Sequence, residues 1–473
     1  MRITRSSSAA VLMGLMLAAS PIAVGSAAAQ QAFGEVAKAA DASVSFDSAE
    51  DGAPIVAGSQ VEVSGSGFQP GQQVTLAYGP TTLTAQPLTA DTEGAVTGAF
   101  ALPADAVVGV HPIVVTTGAP YYATIAELKV SPDIPLSGED AFDLTVSEPA
   151  RGLYQTVYSP KSGAIYAASA VGRPPVKQSE IVKLDADTLK VLARVSPAAA
   201  PQRQGRDGTM GDGGLFAVYG IAVDDSKDTV WVTNTRQDTV AVYRQSDLGL
   251  IKQFAPGTVA HSRDVRVDEE LGKAYATATF TPEVVVFNTA DNTEAKRITI
   301  ASNKRREEFG VASLSLDPEA HKLYVAGLGT SEVAVIDTNT DEVLHVFPVP
   351  GARGTIGVSH DPQTGRIYVA SQGSDNLVVL DGETGAVIAD TPVGAGALNV
   401  VFDPASRQAF VANRGSNTVT VTDADGKIVA NLGPAPRANH VALGPNGSVI
   451  AVDKSAGTRD AESDQLLRIV PAN

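Results

Sequence analysis

The chain has 473 residues, 52 acidic side chains against 35 basic ones, no cysteine and a single tryptophan. A net charge of −17 disfavours duplex nucleic acid and anionic membranes as general partners. The lack of cysteine rules out disulfides, thiolate zinc sites, a cysteine-linked lipid anchor and covalently attached haem. At this length more than one core is expected, since a single core rarely grows past about 250 to 300 residues.

The opening MRITR, the apolar run from Ala9 and the small residues Ala27, Ala28 and Ala29 have the three regions of a secretory signal peptide. Residues 1–29 are therefore predicted to be a leader, cleaved after Ala29. Its removal takes away Arg2 and Arg5 and no acid, so the acid excess deepens. No later stretch reaches the roughly 20 apolar residues of a membrane-spanning helix. A secreted or cell-envelope protein, monomeric and without a cofactor, is expected.

Residues 30–40 show no period and read as a linker. From 41 to 131 come short β-rich runs such as VEVSGSGF, QVTLAYG and HPIVVTTG, broken by Gly, Pro and Asp turns about every ten residues, which predicts an all-β sandwich. Residues 132–141, PDIPLSGEDA, read as a second linker.

From 142 onward the sequence repeats. Segments beginning at Val230, Leu323, Ile367 and Ala409 align without a gap. With the first aromatic of each motif as a ruler, Tyr166, Trp231, Tyr275, Tyr324, Tyr368, Phe410 and the apolar Ile450 are spaced by 65, 44, 49, 44, 42 and 40 residues. A period in the forties with several short strands per unit predicts a β-propeller, here of seven blades, so the fold class is all-β: a seven-bladed β-propeller behind a β-sandwich. The last unit ends after three strands. The isolated stretch Ala141 to Ser147 is predicted to supply its fourth and to close the ring against Leu466 to Val470.

Trp231-Val232-Thr233-Asn234, Phe410-Val411-Ala412-Asn413 and the turn Arg414-Gly415-Ser416-Asn417 carry a resemblance to the YVTN family of β-propeller repeats. The resemblance covers residues 142–473 and implies the blade architecture, not a catalytic site. The segment Gly65 to Gly79 resembles the early hairpin of bacterial Ig-like domains, so 41–131 is expected to be Ig-like.

In a propeller, the loops leading into each first strand and the turns between second and third strands open on one face around the channel. Register places Gln155, Gly220, Asp264, Ser313, Gly357, Asn399 and His440 at the channel entrance. One step outward lie Tyr154, Tyr219, Arg263, Ala312, Ile356, Leu398 and Asn439. The same loops carry Arg151, His261, Arg353 and Arg437, and the turns add Arg236 and Arg414, a set suited to carboxylate or phosphate. Asp212, Asp238, Glu332 and Asp375 on these loops dilute that charge. The candidate ligand-binding mouth is thus Tyr154, Tyr219, His261, Arg263, Asp264, Arg353, Asn399, Arg437, Asn439 and His440.

The insertion from Pro197 to Phe216 reads as a flexible Gly-rich loop over this face, with Asp207 and Asp212 too few for calcium. No metal site and no catalytic set is assigned. Sialidase Asp boxes, the tryptophan richness of quinone-dependent dehydrogenases and WD40 Trp-Asp repeats are all absent from the sequence. The leading expectation is an exported, non-enzymatic binding or scaffold protein that takes an unknown protein partner or an anionic small molecule. The alternative is a lactonase- or lyase-type propeller enzyme using His440, Asp264, His261 and the arginines on an acidic small molecule.

Overall fold

The computed structural model describes residues 41–204, 208–454 and 464–472. The expected leader and the linker at 30–40 lie outside the described residues.

Alternation of apolar and polar residues builds the N-terminal unit. Gln60–Ser66 buries every second side chain, Val61 and Val63, on the inner face of a three-stranded sheet with Ser43–Ser48 and Val96–Ala101. A five-stranded sheet around Gln73–Tyr78, Gly109–Thr117 and Ala123–Val130 faces it. Val61, Val63, Val74, Leu76, Phe100, Ile113, Val115 and Leu128 share one core between the two layers.

Beyond it, the described residues form seven four-stranded antiparallel sheets, numbered I to VII here. Their first strands are Leu153–Ser159, Ile221–Asp224, Ser262–Asp268, Val311–Asp317, Thr355–His360, Ala397–Asp403 and Ala438–Leu443. The second and third strands are buried almost throughout, as in Thr229–Asn234 and Thr239–Arg244, because both faces of each sheet are covered by neighbours. Seven apolar clusters fill the spaces between successive sheets. One of them joins Leu153 and Ile165 of sheet I to Ile450 and Leu466 of sheet VII, so the ring is closed.

Sheet VII takes its fourth strand from the other end of the chain. Phe142–Ser147 pairs antiparallel with Leu466–Pro471, Leu144 opposite Ile469 and Ser147 opposite Leu466. The segment before it is pinned to sheet VI by a bridge between Ser137 and Asn431, whose Nδ2 donates to the Ile134 carbonyl at 2.8 Å. Lys129 Nζ contacts Asp375 Oδ1 at 2.9 Å and Arg353 pairs with Glu127 at 2.7 Å, so the sandwich leans on the loops of sheet V.

The insertion before sheet II carries more order than a flexible loop. Arg203–Gln204 pairs with Met210–Gly211, and Gly214 and Leu215 bridge Val176 and Ala199. Asp212 there bonds Lys177 and caps the Gly214 N–H. Asp207 lies outside the described residues.

Candidate functional site at the channel mouth

A β-bulge opens the first strand in six of the seven sheets, between Leu153 and Thr156, Ser262 and Val265, Val311 and Leu314, Thr355 and Gly357, Ala397 and Asn399, and Ala438 and His440. The extra residue kinks the strand and changes the direction of the side chains at the bulge. The loops ahead of these strands are fixed by a recurring polar contact. Asp238, Asp375 and Asn417, each left-handed at a turn, accept the N–H of His261, Gly396 and Arg437 at 2.7, 2.7 and 2.8 Å. Two of the acids that seemed to dilute the arginines are therefore engaged in holding backbone.

The bulges bring together a compact polar cluster. The rings of Tyr154 and Tyr219 meet edge to face, 5.0 Å apart at 88°. Lys454 Nζ stands over both, 4.8 and 5.2 Å from their centres, and donates to the Ala170 carbonyl at 3.1 Å. The Arg263 guanidinium lies 5.9 Å from the Tyr154 ring, and Arg236 lies 5.9 Å from the Tyr219 ring with Nε donating to its hydroxyl at 3.3 Å. Arg414 donates to Asn439 Oδ1 at 3.2 Å, while Asn439 Nδ2 donates to the Tyr154 carbonyl at 2.8 Å. Among the described residues, none of the four cations forms an ion pair with a carboxylate.

The titration of these groups reflects their crowding. Burial, then the charges of Arg414 and Arg236, push the Lys454 amine down to about 8, against an opposing pull from Asp464. Burial lowers Arg414, with Arg437 and Arg263 adding to the effect, and burial with Arg236 and Arg263 lowers His261. The mouth is thus a region of positive potential on a strongly acidic protein. It is one-sided: Ala312, Ile356 and Leu398, at the places equivalent to Tyr154 and Arg263, are buried in apolar packing instead.

The remaining candidates divide by tier. One step down the strands, Gln155 Oε1 accepts the Ile221 N–H at 3.1 Å, Asp264 Oδ2 the Leu314 N–H at 2.9 Å and Asn399 Oδ1 the Val441 N–H at 2.9 Å. His440 Nδ1 receives the Thr156 N–H at 3.4 Å, and burial with Arg266 and Arg263 holds it well below the usual histidine range. These four form a belt between first strands of neighbouring sheets, so the structure does not bring Asp264, Asn399 and His440 into the cluster with Tyr154, Tyr219, Arg263 and Asn439. At Gly220 and Gly357, in the same register, a Cβ would lie 2.5 Å from the Arg263 carbonyl and 2.8 Å from Asn399 Cα, and the backbones touch directly. Arg353 turns outward to Glu127, and His261 packs 5.1 Å from Phe280. Arg437 borders the cluster through its charge on Arg414.

Lys454 is the member the sequence reading missed. It follows the second strand of sheet VII, Val449–Asp453, as Arg414 follows Gln408–Asn413 in sheet VI, and that offset was the available signal. Among the described residues no three His, Asp or Glu converge as a metal set, and no helix is long and apolar enough to cross a membrane. Below the belt, a cavity of about 380 Å³ is lined by first strands of all seven sheets, Arg266, Ser315 and His360 among them.

A ring of four-stranded sheets around such a channel defines a β-propeller, and solved propellers superimpose on it. Virginiamycin B lyase from Staphylococcus aureus covers 70% of this chain and 100% of its own at a TM-score of 0.51 and 12% identity. U3-55K covers 70% and 98% at 0.55 and 13%, and the RRP9 WD40 repeats 72% and 100% at 0.54 and 13%. At such identities the likeness is one of fold. No family model matches the chain, and no curated protein matches it.

Proposed function

We propose that this is an exported binding protein, a seven-bladed propeller of YVTN type carried by an Ig-like sandwich, which takes an anionic ligand or an acidic partner segment at the propeller mouth. The observation that carries this reading is the cluster of Arg236, Arg263, Arg414 and Lys454 around the Tyr154–Tyr219 pair, with no described carboxylate paired to any of them. Guanidinium forks recognise carboxylate and phosphate geometrically, and tyrosine edges add flat contact area. The leader-like residues 1–29 support export, to the cell envelope or beyond it. A lactonase or lyase site at the mouth would need a free histidine beside a free carboxylate, and the belt bonds of His440 and Asp264 count against it.

Calorimetric titration with citrate and with oligogalacturonate tests the reading. Binding is expected to weaken with added salt and to drop about tenfold or more in Arg263→Ala, with the melting temperature little changed. Heats that are absent, or unaltered by Arg263→Ala and Arg414→Ala together, would overturn it.

A further inference from the structure

The cavity below the belt has a hydroxyl and an imidazole on its wall, with a carboxylate on the far side of the imidazole. Ser315 lies on the first strand of sheet IV and His360 ends the first strand of sheet V, and both line the cavity. Ser315 Oγ is 2.8 Å from His360 Nδ1, a hydrogen bond between neighbouring sheets. His360 Nε2 is 3.6 Å from Asp317 Oδ2. Ser315 and Asp317 are two residues apart on one strand and so share a face. The Ala320 N–H, donating to Asp317 Oδ1 at 3.0 Å, fixes that carboxylate on its turn.

Packing explains the ring at position 360 but not its nitrogens. The imidazole stacks on Tyr324, 5.1 Å between centres at 17°, and the equivalent residue of sheet VI, Phe402, stacks on Tyr368 at 4.7 Å and 17°. A flat hydrocarbon ring meets the structural need, as Phe402 does. His360 adds a base in contact with a hydroxyl on a cavity wall. Burial holds its basicity down against the pull of Asp317 and Asp361, which favours the neutral form that a base must have.

We propose that Ser315 is a nucleophile, His360 its general base and Asp317 the group that stabilises the imidazolium, and that the cavity hydrolyses short-chain carboxylic esters. Val157, Leu314, Val358, Val400 and Val441 give it an apolar wall for a short acyl chain. Ser315 Oγ bonds to the acyl carbon as its proton passes to His360 Nδ1, and the alkoxide departs with that proton as an alcohol. Water then attacks the acyl-serine, its proton returning through the same nitrogen, so that acid is released and the serine hydroxyl restored. The net change is ester plus water to acid plus alcohol. The hydrogen bond of 2.8 Å is already made, and the longer contact to Asp317 needs only a small closing shift on acylation, as resting sites often do.

The test uses the full chain with a fluorophosphonate probe and p-nitrophenyl butyrate. Label is expected on Ser315 by peptide mass spectrometry, and turnover is expected to fall about 100-fold in Ser315→Ala and in His360→Phe. The second variant keeps the stack on Tyr324, so an unchanged melting temperature with lost turnover separates the base from its packing role. Absence of label on the folded protein, or turnover equal in wild type and Ser315→Ala, would sink the proposal.

Discussion

At the scale of single residues, the mouth turns on Lys454. An ordinary lysine stays protonated to near 10.5, whereas burial and two arginines bring this one to about 8. Below that pH the amine adds a positive charge to the cluster, and above it the charge is gone, so anion affinity should fall as pH rises through about 8. In Lys454→Met the affinity should be lower at pH 7 and flat across that range, as calorimetry at several pH values would show. The unfolded chain binds more protons than the folded one between about 8 and 10.5, so this group's contribution to stability rises with pH over that window. Sequence register found Tyr154, Tyr219, Arg263 and Asn439, because one offset near the start of each first strand marks all four. Lys454 escaped it because the last unit has lost its aromatic and its Gly-Ser-Asn turn. Asp264, Asn399 and His440 read as ligand groups because the shared register puts them at the channel entrance; whether they face the mouth or the next sheet depends on a bulge that residue letters do not display.

At the scale of elements, the belt answers a problem that twisted sheets create around a ring. The first strands of neighbouring sheets approach each other without a continuous ladder, and their N–H groups are buried there. Gln155, Asp264, Asn399 and His440 supply acceptors from their side chains, while Gly220 and Gly357 allow contact of backbone on backbone. Asn399→Ala leaves the Val441 N–H without its acceptor and should cost about 1–3 kcal/mol in urea or thermal unfolding. An equal stability of that variant would mean that the belt is not a source of cohesion. The periodic motifs made the strands readable, but this belt joins residues from different repeats, and no single repeat contains both partners of any of its bonds.

At the scale of the whole molecule, seven sheets, seven inter-sheet cores and a separate sandwich are tied at few points. Lys129 to Asp375 and Arg353 to Glu127 hold the sandwich to the ring, and the Ser137–Asn431 bridge holds the segment between them. The Phe142–Ser147 strand, predicted from an unattached apolar stretch and a last unit one strand short, closes sheet VII. Deleting residues 142–147 leaves Leu466–Pro471 as an open edge, and the product should aggregate and melt at a lower temperature, read by light scattering and calorimetry. A monomeric product with the wild-type melting temperature would show that closure adds little. Such a seal also orders events in time. The strand that completes the ring leaves the ribosome before the other strands of sheets I to VII, and its partner leaves after all of them. Throughout synthesis Leu144 and Val146 wait without a neighbour, and no shortened copy ending before Leu466 can shut the circle. A product cut short before Leu466 is thereby marked by two bare strand edges, Phe142–Ser147 and Val449–Asp453, which proteases and aggregation can act on and a closed ring does not present.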